Sequence, residues 1–114
     1  MESIGLMESA EKQLELARGA RSRRASTALV GDRDSRLRLH LMALAAGTAL
    51  DEHESPGEAT LHVLVGRVRL IAGSRSLTLD AGELAEIPPE RHSVEADEDS
   101  ALLLTVARDR PADG

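Results

Sequence analysis

A chain of 114 residues with no cysteine and no aromatic residue is long enough for one self-sufficient core but not for two. It offers no disulfide frame, no thiolate nucleophile, and no ring on which a base or a quaternary ammonium group can stack. Its formal net charge of -6 repels polyanions and leaves the counterion release that drives nucleic-acid binding without a source, so DNA and RNA are not expected partners. Hydrophobic residues make up 41% of the chain, too many for disorder, yet no run of them is long enough to span a bilayer. The amino-terminal MESIGLMESAEKQLELARG carries glutamates where an export signal has a basic start and an apolar core. A cytoplasmic protein without membrane association is expected.

Leu6, Ala10, Leu14 and Ala17 recur at helical spacing, which predicts an amphipathic helix over residues 6–20 with Ser9 as a candidate N-cap, packed across a sheet or against a partner subunit. Arg18, Arg21, Arg23 and Arg24 follow as a short basic cluster. Such a cluster can grip an anion, but in a chain of negative net charge it reads as a solvated connector. Ser26 to Val30 is a short strand, and Gly31, Asp32, Asp34 and Ser35 supply a turn. Arg36 to Leu41 then alternates strictly, with Leu37, Leu39 and Leu41 on one face and Arg36, Arg38 and His40 on the other. His40 is therefore expected to face solvent or a polar cavity, away from a leucine core.

From Gly47 to Gly66 the chain reads GTALDEHESPGEATLHVLVG: a glycine turn, His53 behind an acidic pair, a second turn at Ser55, Pro56 and Gly57, and an apolar strand that stops at Gly66. A hairpin follows, its strands Gly66 to Ile71 and Leu77 to Leu79 joined around Gly73 and Ser74. Leu84 to Ile87 is cut off by Pro88 and Pro89, which cannot donate to a ladder. His92, Val94 and Ala96 resume the alternation, and Ala101 to Ala107 is a final buried strand. Many short strands behind one helix argue for an all-β sandwich or barrel. The chain divides into a helix and connecting arm over residues 1–35, a barrel over 36–108 and a polar tail over 109–114, expected to fray, all within one domain.

Two glycine-framed motifs are embedded in this pattern. In the first, Gly47 is followed by five residues and His53, and six residues separate position 59 from Gly66; in the second, Gly82, Pro88 and His92 stand in order. This frame resembles the cupins over about Leu37 to Ala107. The resemblance implies a double-stranded β-helix, or jelly-roll barrel, here with a short N-terminal α-helix. It also implies a homodimer joined through sheet edges or swapped N-terminal strands. The sequence departs from the motifs at Ser55, where the second histidine belongs, and at Ala59 or Thr60, where the glutamate belongs. The second motif has a shorter turn, with Glu90 in place of a glycine and Ala96 in place of an asparagine.

In metal-containing cupins the motif histidines and glutamate hold Fe, Mn, Zn, Ni or Cu inside the barrel. By that resemblance His53 and His92 are candidate ligands of one divalent metal, but two imidazoles are too few and a third ligand is required. Glu58, His62 and His40 are the candidates. Glu58 is one residue out of register, and a slip of one turns a strand side chain to the opposite face unless the turn re-aims it. His62 alternates with Leu61 and Val63 and faces away from them.

Without metal, His53, His92, Ser55 and Arg91 form a candidate small-molecule pocket. Neutral imidazoles donate and accept, and Arg91 can hold a carboxylate bidentately unless it is a loop arginine paired with Glu90 or Asp97. No phosphate loop, zinc-protease helix or nucleophile elbow occurs, and Ser55 with His53 two residues away is no triad. The acidic run Glu95, Asp97, Glu98 and Asp99 reads as a solvated loop. Three functions remain in view: a small-molecule-binding cupin with a degenerate or absent metal site; a metal-dependent dioxygenase, isomerase or decarboxylase acting on a small anionic metabolite; and a non-catalytic interaction module.

Overall fold

The computed structural model describes residues 1–53 and 57–108. In chain order they form α1 (Leu6–Gly19), β1 (Arg24–Val30), β2 (Leu37–Leu44), β3 (Ala49–His53), β4 (Glu58–Val65), β5 (Arg67–Ala72), β6 (Arg75–Asp80), β7 (Leu84–Glu86), β8 (His92–Ala96) and β9 (Ser100–Ala107). Two sheets face one another, ordered β1-β2-β9-β4-β7 and β3-β8-β5-β6. Every pairing is antiparallel, and most neighbours are distant in sequence, as in β2 with β9 and β3 with β8. This is the all-β sandwich that the run of short strands predicted, with the jelly-roll strand order that the resemblance implied.

Alternation explains how the sheets close. Leu61 and Val63 of β4, Val68 and Leu70 of β5, Val94 of β8 and Leu102 of β9 belong to one buried cluster between the sheets. A second cluster lies outside the five-stranded sheet, where Ala10, Leu14 and Ala17 of α1 pack on Leu41, Ala43 and Ala101. The small side chains let the helix approach the strands closely. That second cluster reverses one expectation for β2. Leu41 packs under the helix, while Arg38, His40 and Met42 share the parity of Leu44, which lies in the barrel core. A sheet buried on both faces can carry apolar residues at either parity, so the leucine face is the outer one.

The helix starts a turn earlier than its serine suggests. Gly5 is the N-cap, with no side-chain cap bond, and the Ser9 N–H already donates to the Gly5 carbonyl at 3.0 Å. Burial of one face, not a capping side chain, holds this helix. At its other end the Arg23 guanidinium donates to the Arg18 carbonyl at 2.8 Å, satisfying a terminal acceptor. Arg18 Nε in turn donates to Asp99 at 2.8 Å, tying α1 to the loop before β9. The basic cluster and the acidic run are thus partners in part.

Gly66, between β4 and β5, has φ +87, and a Cβ there would lie 2.3 Å from Ser100 Oγ and 2.4 Å from the Asp99 carbonyl oxygen. Only glycine fits both the backbone and the space. Ser100 is fully buried. Its hydroxyl accepts from the Arg67 N–H at 3.1 Å and donates to the Glu98 carbonyl at 2.7 Å, so the β4–β5 and β8–β9 turns are fastened together.

Candidate functional site

The strand register brings the backbones of His53 and His92 to the barrel end where Arg38, Val106 and Ala59 also lie. In the five-stranded sheet Arg38 stands opposite Val106 and Val106 opposite Ala59, and the Ile87 N–H donates to the Ala59 carbonyl at 2.9 Å. In the other sheet His53 is the backbone partner of His92. The short connection from Glu86 to His92 brings the start of β8 to the same end as Ile87.

His92 is 2% exposed and alternates with Val94 and Ala96, both buried, so its ring faces the barrel. Its Nδ1 lies 2.9 Å from the Glu90 carbonyl oxygen. A carbonyl can only accept, so Nδ1 carries a proton and, in the neutral ring, Nε2 carries the lone pair. His53 occupies the last position of β3, and Ser55 lies outside the described residues. Arg91 is exposed, and its Nε donates to Glu52 at 3.0 Å, across to β3. Its carboxylate partner is neither Glu90, which pairs with Arg75, nor Asp97, which pairs with Arg69 at 3.0 Å.

The third-ligand candidates fall in different places. Glu58 is exposed at the start of β4, while Ala59 beside it is 5% exposed and part of the barrel core. Thr60 has the parity of Glu58 and stands opposite Glu86 and Thr105. Neither spacing of the motif therefore puts a carboxylate into the barrel. His62 lies on the outer face, in register with Leu84 and Leu103, whereas His40 has barrel-facing parity opposite Leu104.

Among the described residues no three histidine, aspartate or glutamate side chains converge so as to hold a metal ion. The donors present do not fit the cupin set. Its glutamate position is a methyl group, the neighbouring carboxylate points away, and Arg38 brings a fixed positive charge to the same sheet face.

Arg38 is the residue that sequence reasoning passed over. It lines an open cavity of about 360 Å³ with His40, Leu104, Val106 and Arg108. Its Nε is buried and has no hydrogen-bond partner among the described residues, a state that costs about 1–3 kcal/mol for an ordinary donor and more for a charged one. Arg108 is set at the rim by its backbone, whose N–H donates to the Arg36 carbonyl at 2.8 Å. The alternation of β2 had put Arg38 and His40 on one face. Which face meets the barrel became visible only once α1 covered the other.

A neighbouring cavity of about 620 Å³ shares Arg108 but is lined also by Glu58 and Glu86, carboxylates at the far side of the sheet edge. Away from the barrel end, the Asp99 carboxyl is held below its ordinary value of 3.8, first by the hydrogen bond from Arg18 and then by the Ala46 N–H. No helix among the described residues is long and apolar enough to cross a membrane.

A family model described as "Cupin domain" matches residues 40–107. No curated protein matches the sequence significantly. Among solved structures, a conserved protein of unknown function from Streptococcus pyogenes superposes with a TM-score of 0.71 at 23% identity, covering 80% of this chain and 79% of that one. A cupin 2 conserved barrel domain protein from Leptotrichia buccalis gives 0.72 at 28% identity over 82% of this chain and 45% of that one. The salicylate 1,2-dioxygenase of Pseudaminobacter salicylatoxidans gives 0.73 at 19% identity; 88% of this chain is covered, but only 33% of the dioxygenase.

Proposed function

The chain belongs to the cupin family, and we propose that it is a small-molecule-binding cupin whose barrel receives its ligand without a resident metal ion. The observation that carries this reading is the cavity of about 360 Å³ on the barrel side of β2 and β9, where apolar Leu104 and Val106 meet Arg38, His40 and Arg108. Small-ligand sites combine such apolar walls with a few polar groups, in volumes of roughly 300–1,000 Å³. His92, buried and oriented by the Glu90 carbonyl, faces the barrel end from the opposite sheet, and His53 is its backbone partner in register. Arg91 is engaged with Glu52 and belongs to the rim.

Elemental analysis of protein purified without a histidine tag tests the metal-free part. The expected result is protein without stoichiometric Fe, Mn, Zn, Ni or Cu that cannot be reloaded by dialysis. Near-stoichiometric metal that is lost in both His53→Ala and His92→Ala would overturn it in favour of a metal-dependent enzyme. The reading also has the protein as a cytoplasmic homodimer. The unpaired edge of β1, with Val30 exposed on it, supports pairing through a sheet edge. Light scattering should then give twice the chain mass of 12.2 kDa, and a monomer at micromolar concentration would refute it.

A further inference from the structure

Resting on that reading of the barrel as a ligand site, we infer that the cavity between β2 and β9 is a carboxylate site. Its ligand is a small monocarboxylic acid with an apolar body, anchored by the Arg38 guanidinium. Three observations meet there. The first is that Arg38 lines the cavity while its Nε, shut off from solvent, has no hydrogen-bond partner among the described residues, so no carboxylate of those residues already holds this guanidinium.

The second is charge. Arg18, Arg67, Arg69, Arg75 and Arg91 are each ion-paired with a carboxylate of the chain. Arg38 and Arg108 take part in no ion pair among the described residues; Arg21, Arg23, Arg24, Arg33 and Arg36 are unpaired there as well, but those five are exposed, whereas Arg38 and Arg108 are half-buried. None of the described residues lining the cavity is acidic. Its charged groups are two guanidiniums, with one imidazole beside them, so an anion is attracted and a metal cation or an amine is repelled.

The third is shape. A guanidinium presents N–H groups of its two terminal nitrogens side by side, the spacing of two carboxylate oxygens. Leu104 stands opposite His40 and Val106 opposite Arg38, so the walls beyond the anchor are hydrocarbon. At about 30 Å³ per water-sized group, a cavity of about 360 Å³ holds roughly a dozen heavy atoms. A phosphate would want several backbone N–H donors from a glycine-rich turn or a helix N-terminus. Leucine and valine walls give it none, so an acid with a hydrocarbon body fits better than a phosphate.

Calorimetric titration of the full chain with two matched pairs, benzoate against benzamide and hexanoate against hexanamide, tests the assignment. Each acid that binds is expected to do so at least tenfold more tightly than its amide, about 1.4 kcal/mol. Arg38→Met should remove at least tenfold of the acid affinity while leaving amide affinity unchanged. Its melting temperature should match or exceed that of the wild type, because an unsatisfied buried donor has been removed. Arg69→Met, on the other sheet and paired with Glu95 and Asp97, should bind the acids as the wild type does.

Amides that bind as tightly as the acids, or acid binding that survives in Arg38→Met, would overturn the carboxylate assignment and leave the small-molecule reading standing. Inorganic phosphate that displaces benzoate at equal concentration would reduce the site to a general anion trap and also overturn it. If no acid and no amide binds, both readings fall together. Should Arg38→Met not fold, Arg38→Gln carries the same comparison.

Discussion

Replacing Gly66 by alanine tests the fastening of the turns that close the barrel. The position has φ +87, where an L-residue is less favourable by roughly 1–2 kcal/mol. The added methyl would also lie 2.3 Å from Ser100 Oγ, 2.4 Å from the Asp99 carbonyl oxygen and 2.9 Å from Ser100 Cα. Two of those atoms are backbone, so the start of β9 must move. Movement breaks the Ser100 bonds to Arg67 and Glu98, each worth about 1 kcal/mol. The sum is about 3–4 kcal/mol, a large part of the 5–15 kcal/mol that holds a small domain together. Gly73→Ala is the matched control: its φ is +61 and a Cβ there meets nothing within 4 Å, so it bears the strain alone. Urea unfolding followed by circular dichroism should place Gly66→Ala at least about 2 kcal/mol below Gly73→Ala, the two lost hydrogen bonds. Equal midpoints for the two variants would refute the close-packed turn.

Ser100→Ala should cost about 1–3 kcal/mol in the same assay, because the Arg67 N–H loses a buried acceptor; a loss under about 0.5 kcal/mol, the size of a surface substitution, would show the hydroxyl to be dispensable. Asp99 gives a pH signature. Its carboxyl titrates below its ordinary 3.8 in the folded chain, so its stabilising contribution is present above about pH 4 and is lost as pH falls through the lower folded value. The unfolding midpoint of wild type should therefore converge on that of Asp99→Asn between about pH 5 and pH 2, and the gap should stay constant from pH 6 to 8; a gap that widens in acid would contradict this. Ala59→Glu puts a carboxylate on the barrel row that holds Val106 and Arg38. It should pair with Arg38 and abolish benzoate binding in the titration described above, and undiminished binding would show that the two positions do not share the cavity.

Apart from β3, which the sequence offered only as a glycine turn and an acidic pair before His53, the strands, their turns and the helix face were legible because each follows from a local period. Ala10, Leu14 and Ala17 marked the buried side of α1, with Leu6 half-buried at its start, and Leu61, Val63 and His62 divided as alternation required. Partners remote in sequence were not legible. Nothing local joins Arg18 to Asp99 or Arg91 to Glu52, since ion pairs across 81 and 39 positions are set by which strands become neighbours. The face of β2 was undecidable for a related reason: alternation separates two faces but does not say which of them a helix will cover. The glycine and proline frame located the barrel end, and the register then removed Glu58 and His62 from it. It promoted Arg38, an arginine that composition alone reads as solvent-facing.

Arg38 and Ala59 are best understood as one change. Both stand opposite Val106, on the two strands that flank β9, so their backbones are about two strand spacings, roughly 10 Å, apart on one face. A glutamate at 59 would bring a negative charge within reach of the guanidinium, and the two long side chains together can bridge that distance. With alanine there, the guanidinium has no carboxylate partner among the described residues. Where the resembling motif places the carboxylate on the chain to hold a cation, this barrel has the cation on the chain. On the carboxylate proposal the missing carboxylate would come from the ligand, and a metal ion and an organic acid would then compete for this barrel end.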